Sequence, residues 1–349
     1  MGKFDHIFAA NACNFQDLPV PTAIRLLRLH ASKNDGQIEC SLQTVLDCQT
    51  APPYYALSYC WGTQTAAKCI KCDGREFFVT QDLYSALHHL RAARAEKLFW
   101  IDAICINQYD VLERNAQVSK MNEIYHNAEN VLVWLGQEDE HTATIFHVIQ
   151  DISLACAATF LGVPGLEEWP HQLLEECDSP AMLQQLMDYE HNSVVPAPAA
   201  EIWQHIARLY QRSWFERVWI IQEISNTPRA IVLCGRQEVL WLMVGIVANW
   251  LMRSKQGREV RQVLQVSFRD TTAPSGITNA NFLSQPERRT PYDSPFMWIL
   301  DQSRRFKATE PRDRIFALIQ HTIGRMKSID DGRTCLQDET VSTIQVSMP

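Results

Sequence analysis

LFWIDAICINQYDVLERNAQVSKMNEIYHNAENVLVWLG, residues 98–136, is the stretch that decides the fold class. Leu98 to Ile104 is an apolar run that reads as a buried strand, with one carboxylate, Asp102, inside it. A polar turn follows. Asp110 and Glu113 stand at capping-box spacing, in which each side chain satisfies a backbone N–H left orphaned at a helix start. Val118, Met121, Tyr125 and Ala128 then form one apolar helix face. Val131 to Leu135 is a second buried strand. The stretch is therefore a β-α-β unit, with Asp102, Asn107 and Gln108 gathered where its first strand ends. Open α/β sheets bind ligands outside the carboxyl ends of their strands, so a fold and a place to look for function come together.

Working outward, Ala23–Leu29 and Ile38–Leu42 read as an opening hairpin, and Tyr54–Tyr59 as a strand ending in a Cys60-Trp61-Gly62 turn. KCIKCDGREFFV, residues 68–79, reads as a hairpin turning at Asp73-Gly74. Leu83, Ala86, Leu87 and Leu90 recur at helical spacing behind Thr80 or Asp82 as N-cap. His141 to Leu161 is a further helix. Residues 162–198 are acidic, Gln-rich and broken by five prolines, the composition of a variable helical insertion. Order returns at Ala200–Tyr210. SWFERVWIIQEIS (213–225) reads as one apolar helix, Ala230–Cys234 as a strand, and the chain as helical to about Val266. Arg269 to Pro295 is linker-like. Helices are expected around Phe296–Phe306 and Pro311–Ile323, and the tail from Met326 has little pattern. Strands alternating with helices predict an α/β fold with a mostly parallel sheet and flanking helices, followed by a mainly helical C-terminal region. The expected divisions are residues 1–50, 51–235, 236–325 and 326–349.

The 349 residues are 46% hydrophobic and 21% charged, an ordinary globular mixture, with a net charge of −8 and a pI near 5.8. No Lys/Arg-rich run stands out, so nucleic acid is not expected as a partner. The N-terminus lacks a signal-peptide core. The longest apolar run, Val239 to Met252, is too short to span a bilayer and reads as a core helix. A cytoplasmic protein without a membrane span is expected. The eleven cysteines are an odd number in a large chain, which fits reduced thiols. Cys69 and Cys72 form one CxxC with no second pair to complete a zinc site. His88, His89, His126 and His141 lack ligand spacing with carboxylates or cysteines, so no metal is expected.

Four blocks carry a resemblance: YYALSYCWG (54–62), residues 100–136, RSWFERVWIIQEI (212–224) and EPRDRIFALI (310–319). In this order and spacing they resemble the heterokaryon incompatibility (HET) domain of filamentous fungi. The resemblance implies a fungal source and a role in non-self recognition leading to growth arrest and cell death. It implies protein partners or a homo-oligomer, and a helical continuation longer than this chain contains. HET domains are in turn similar to Toll/interleukin-receptor domains, which implies a flavodoxin-like sheet. Some of those domains cleave NAD, which makes NAD a candidate substrate here and NAD nucleosidase the candidate activity; no cofactor is expected. Two other roles remain open: a non-enzymatic self-associating module, and an accessory protein of a fungal secondary-metabolite pathway.

Glu223 is the first catalytic candidate. Apolar neighbours Phe215, Trp219, Ile220 and Ile224 would raise its pKa by burial, and the end of a helix is unfavourable for its charge. Trp219 and Glu223 have the spacing of the tryptophan and catalytic glutamate in NAD-cleaving Toll/interleukin-receptor domains. Such a carboxylate would hold the nicotinamide ribose and stabilise an oxocarbenium-like transition state. The alternative is that Glu223 pairs with Arg217 or another arginine and orients its helix. Asp102 either holds a ligand hydroxyl or accepts backbone N–H groups of the Cys105–Gln108 turn, which is the favoured reading. Ser58, Tyr59, Trp61 and Gly62 are candidate substrate-binding residues: an aromatic ring stacks on a nucleotide base or packs in the core, and Gly62 permits close approach. Asn107 and Gln108 read amide or ribose groups, or build the turn. Glu113 and Arg114 serve the helix start, and Arg312, Asp313 and Arg314 are expected to dock the C-terminal helices as an ion-pair cluster.

Overall fold

A computed structural model describes residues 4–11, 15–31, 36–62, 67–94, 96–161, 185–187, 200–224, 230–268, 275–284, 300–308 and 310–318. The tail from 326 and nearly all of 162–198 lie outside the described residues.

The N-terminal part builds one side of a sheet. After a short helix, α1 (Asp5–Asn11), come β1 (Ile24–Leu29), β2 (Glu39–Val45), β3 (Tyr55–Tyr59), β4 (Ala67–Cys72) and β5 (Arg75–Thr80). β1 and β2 form the expected antiparallel hairpin, Ile24 opposite Val45 and Leu29 opposite Cys40. β4 and β5 turn at Asp73-Gly74, both with positive φ (51° and 75°). Two consecutive positive φ values suit a two-residue hairpin loop, whose twist matches that of the strands. α2 (Gln81–Arg94) follows directly, and Thr80 rather than Asp82 caps it, accepting from Leu83 N at 3.3 Å.

The deciding stretch forms a β-α-β unit with different boundaries from those read in the sequence. β6 is only Leu98–Trp100. Asp102 is not a strand residue: Asp102–Cys105 is one helical turn, α3, entered through extended Ile101. The carboxylate ends the strand because Asp102 Oδ1 accepts its neighbour Ala103's N–H at 2.7 Å, a cap-like bond that a strand interior does not offer. The amphipathic run is two helices, α4 (Val111–Val118) and α5 (Met121–His126), and β7 (Asn130–Trp134) closes the unit.

Beyond β7 come α6 (Thr142–Leu161), α7 (Ala200–Tyr210) and a 3₁₀ turn over Ser213–Glu216. α8 (Ile220–Ile224), β8 (Ala230–Cys234), β9 (Gln237–Leu240), α9 (Trp241–Arg253), α10 (Lys255–Phe268) and α11 (Ser275–Leu283) follow. Three expectations are corrected here. Residues 213–225 do not form one helix, because Arg217 is extended and bridges Lys307 in strand fashion. β9 adds an edge strand before α9. The linker-like stretch contains α11, whose Ile277, Ala280 and Leu283 are buried. Residues 300–303 and 313–318 are helical, as the sequence suggests.

The nine strands among the described residues form one sheet in the order β5-β4-β2-β1-β6-β3-β7-β8-β9. Four pairings are antiparallel and four parallel, so the sheet is mixed rather than mostly parallel. The parallel character is concentrated at the centre, in β6, β3, β7 and β8, where adjacent strands read Ala56 beside Trp100, Leu57 beside Leu132 and Val133 beside Val232. These strands are nearly continuous in apolar residues because both faces are covered. Trp100, Phe99, Val131, Leu132, Val133, Val232 and Leu233 are all buried. Of these four strands β3 comes first in the chain yet lies between β6 and β7, so the strand order turns back over it. The carboxyl ends of four strands therefore share one edge, where residues 58–62 and 101–110 emerge.

One helix among the described residues, α6, is long and apolar enough to cross a membrane. In this fold its Ile145, Phe146, Ile149, Ile152 and Cys156 are buried in the core, and Ser153 donates to Met243 O of α9 at 3.0 Å.

Candidate functional site

The carboxyl edge of β3 and β6 holds two carboxylates in one connected network. Ser58, the fourth residue of β3, is fully buried, and its hydroxyl donates to Glu223 Oε2 in a short hydrogen bond. The same Ser58 oxygen accepts the indole N–H of Trp214 at 2.7 Å. Glu223 is 1% exposed. Its second partner is Arg217, with Nη2 at 3.4 Å from Oε1 and Nη1 at 3.5 Å from Oε2. Nη1 of Arg217 also donates to Tyr59 O at 2.6 Å, which pins the guanidinium to the end of β3. Burial opposes the arginine's charge, but Glu223, Cys60 and Asp102 more than offset it and hold the group firmly protonated. A buried carboxylate needs such a partner, because an isolated buried charge is far more costly than a paired one. The Arg217–Glu223 pairing weighed from the sequence is thus present, and Ser58 and Trp214 extend it.

Asp102 lies at the adjoining strand end. Its Oδ2 accepts the indole N–H of Trp61 at 3.0 Å, and its Oδ1 the backbone N–H of Ala103. The residue keeps partial exposure, but burial of its carboxyl group is the main influence on its pKa, which is pushed up to about 6; Arg217 works against that shift and Glu223 with it. The Tyr59 hydroxyl is buried and makes no well-formed hydrogen bond among the described residues, with Asp102 the acceptor within its reach; burial, followed by the nearby Asp102 charge, pushes the phenol well above its ordinary value.

The remaining sequence candidates divide. Trp61 is packed edge-on by Phe4 and Phe8 of the N-terminal segment, with ring centroids at 5.7 and 5.1 Å, so its ring is engaged by the protein itself. Gly62 adopts φ +82°, and a Cβ there would meet Asp82 Oδ2 at 1.7 Å; its close approach is to α2. Asn107 and Gln108 build the turn. Asn107 Oδ1 accepts from Tyr109 N at 3.3 Å, and Gln108 Nε2 donates to Asp102 O at 2.9 Å. Asp110 caps α4, accepting from Leu112 N and Glu113 N. Glu113 does not reach back as a capping box requires. It accepts from Asn107 N at 2.7 Å and forms a bidentate pair with buried Arg25 of β1, at 2.5 and 2.9 Å. That pair ties the strand-end turn to the sheet. Arg114 donates to Gln108 O at 3.0 Å.

Trp219 precedes α8, one turn before Glu223, whose N–H it accepts at 3.3 Å. Its indole N–H donates to Asp313 at 3.3 Å. Arg312, Asp313 and Arg314 form no ion pair among the described residues, contrary to expectation; Asp313 meets an indole and Arg314 donates to Arg304 O at 3.2 Å. Docking is by other means. Val218 N donates to Lys307 O at 3.0 Å, Lys307 N donates to Glu216 O, and Gln222 Nε2 donates to Phe316 O at 2.8 Å. α11 supports the same segment, with Asn279 Nδ2 donating to Phe215 O at 2.9 Å. Trp214, Asp313 and Lys307 carry no sequence signal for these roles: Trp214 lies 156 residues from Ser58.

Among the described residues no group of three side chains is placed to hold a metal ion, and the cysteines are free thiols. Cys69 and Cys72 sit within β4, with Cys72 buried beside Cys40 of β2.

Residues 54–223, which span β3 to Glu223, match the family model of heterokaryon incompatibility protein (HET). The chain is similar to heterokaryon incompatibility protein 6, OR allele, of Neurospora crassa, 28% identical over 276 residues that cover 71% of this chain and 38% of the relative. It thus spans under two fifths of that relative's length. No solved structure gives a significant match. With every strand-end residue described above falling inside the matched stretch, residues 54–223 of this chain are a HET domain.

Proposed function

We propose that this chain acts in fungal non-self recognition, with its HET domain as the part that turns recognition into growth arrest and cell death. The observation that carries the reading is the match of residues 54–223 to the HET family, joined by a relative whose name states heterokaryon incompatibility. Expression of the chain in a fungal strain that lacks it, followed by pairing with a panel of partner strains, tests it. Arrested growth or dying fusion cells in at least one pairing is the expected result. Vigorous heterokaryons with every partner, at confirmed expression, would overturn it.

Within that role the proposed chemistry is cleavage of NAD in the cytoplasm. Three features support it. The central parallel strands run in the spatial order second, first, third, fourth, which is that of flavodoxin-like sheets with their ligands at the carboxyl edge. Glu223 and Trp219 sit one helical turn apart at that edge. Arg217 supplies a cation beside them. Purified protein at high concentration should release nicotinamide from NAD, and Glu223→Ala should abolish the release.

A second reading, a non-enzymatic self-associating module, is favoured by one observation: Glu223 is 1% exposed and occupied by Ser58 and Arg217, as a structural carboxylate would be. Light scattering on the full chain separates the two readings. Oligomers together with cell killing that survives Glu223→Ala would support the scaffold.

A further inference from the structure

Glu223 and Asp102 belong to one network but face different surroundings. Glu223 is enclosed, and its oxygens are taken by Ser58 and by the two ends of the Arg217 fork. Asp102 keeps partial exposure. Its two oxygens each accept one hydrogen bond, from Trp61 and from Ala103. A carboxylate has about four lone-pair sites, so about two remain. Both bonds come from rigid donors, a packed indole and a helix-start amide, so the carboxyl group is held in place before any ligand arrives. The buried Tyr59 hydroxyl beside it makes no well-formed hydrogen bond among the described residues, and Asp102 is the acceptor within its reach. Among the described residues Arg217 makes three bonds, to Tyr59 O and Glu223, which leaves its Nε–H and one Nη2–H unused there on a side chain that is 22% exposed.

We infer that Asp102, not Glu223, is the carboxylate that meets the ligand, and that it does so by accepting both hydroxyls of a ribose diol, with the Tyr59 hydroxyl and Arg217 completing the subsite. A strand-end carboxylate that accepts from ribose hydroxyls is a general solution in nucleotide-binding α/β sheets, since two adjacent oxygens match two adjacent hydroxyls. The unused N–H groups of Arg217 suit a phosphate oxygen on the same nucleotide. Glu223 is then a positioning residue that fixes Arg217 against the end of β3. This inference rests on the nucleotide reading of the site, not on NAD cleavage itself.

The test uses the full chain and isothermal titration with ADP-ribose, adenosine and 2′,3′-dideoxyadenosine. Wild-type protein should bind ADP-ribose, and adenosine should bind more tightly than its dideoxy analogue, which lacks the diol. Asp102→Asn should weaken ADP-ribose roughly ten- to a hundredfold, the size expected for lost charge-assisted hydrogen bonds, and should remove the preference for adenosine. Far-UV circular dichroism checks that the variant folds, and the comparison of adenosine with its dideoxy analogue needs no variant at all. Equal binding of the two nucleosides to the wild type, unchanged binding to Asp102→Asn, or no binding of ADP-ribose at millimolar concentration would each overturn the inference. Diol-dependent binding through Asp102 without nicotinamide release would leave it standing and defeat the cleavage reading. Nicotinamide release that persists in Asp102→Asn, with no diol preference, would do the reverse.

Discussion

Glu223 and Arg217 show why a buried ion pair is tested by removing one partner at a time. Arg217→Ala leaves the Glu223 carboxylate enclosed with only the Ser58 hydroxyl to satisfy it, and breaking such a pair typically costs about 3–5 kcal/mol. Urea denaturation of the variant should show a loss of that order, with Arg217→Lys intermediate because it keeps the charge and loses the fork. Glu223→Gln should cost less, about 2 kcal/mol, since the amide can still accept from Ser58 and the freed arginine has solvent within reach. Asp102 gives a prediction with a sign. Its carboxyl group is pushed up to about 6 in the folded protein, against about 3.9 in an unfolded chain. The folded state therefore binds the proton more tightly. The contribution to stability is fully present below about pH 4 and is lost as pH rises through 6. Asp102→Asn has no such titration. Its stability relative to wild type should rise between pH 4.5 and 7.5, measured by urea midpoints at equal m-value; a relative fall over that interval would contradict the buried-carboxyl account.

At the scale of elements, periodicity made most of the sheet readable, and local hydrogen bonding decided where that reading stopped. β1, β3, β7 and β8 stand where apolar runs placed them, because each run is bounded by turn residues and buried along nearly all its length, whereas β2 has only Cys40 buried and runs on to Val45. β6 is shorter than its run. Leu98–Ile104 is apolar except for Asp102, which captures the Ala103 N–H so that the strand yields to a helical turn, a choice hydropathy alone does not register. The helix read over 213–225 failed for a longer-range reason: Arg217 is drawn into an extended bridge with Lys307, 90 residues on, and the apolar period of WFERVWII is the same either way. Glu223 was recognisable as a carboxylate among apolar neighbours. Ser58 and Trp214 were not linkable to it, since their contacts span 165 and 156 positions. The N-cap of α4 was legible, and it carries a modest prediction. Asp110→Ala removes acceptors for Leu112 N and Glu113 N and should cost about 1 kcal/mol in urea denaturation. Glu113→Ala should cost more, because it also strands buried Arg25 of β1.

For the whole molecule, the HET match ends at Glu223, but the packing does not. Residues 303–308 and 310–318 lie along the segment that carries the strand-end network: the Lys307 backbone exchanges hydrogen bonds with Val218 and Glu216, Asp313 holds the Trp219 indole, and Phe316 O accepts from Gln222. Phe306, 1% exposed, anchors this block beside Phe282, with ring centroids at 6.0 Å. Elements joined by backbone bonds and a shared apolar contact are expected to open together rather than separately. Phe306→Ala, which removes a buried ring, should cost about 3–5 kcal/mol. If the block and the network are one cooperative unit, that loss should appear in a single unfolding transition, and hydrogen exchange at the amides of Val218, Gln222 and Glu223 should accelerate by the factor the lost free energy dictates. If the C-terminal block is separate, a second transition should emerge at low denaturant while Glu223 and its neighbours keep wild-type protection. The hydrogen bonds that cross the end of the matched region favour the first outcome, because Val218 N and Gln222 Nε2 would lose their protein acceptors were the block to open alone.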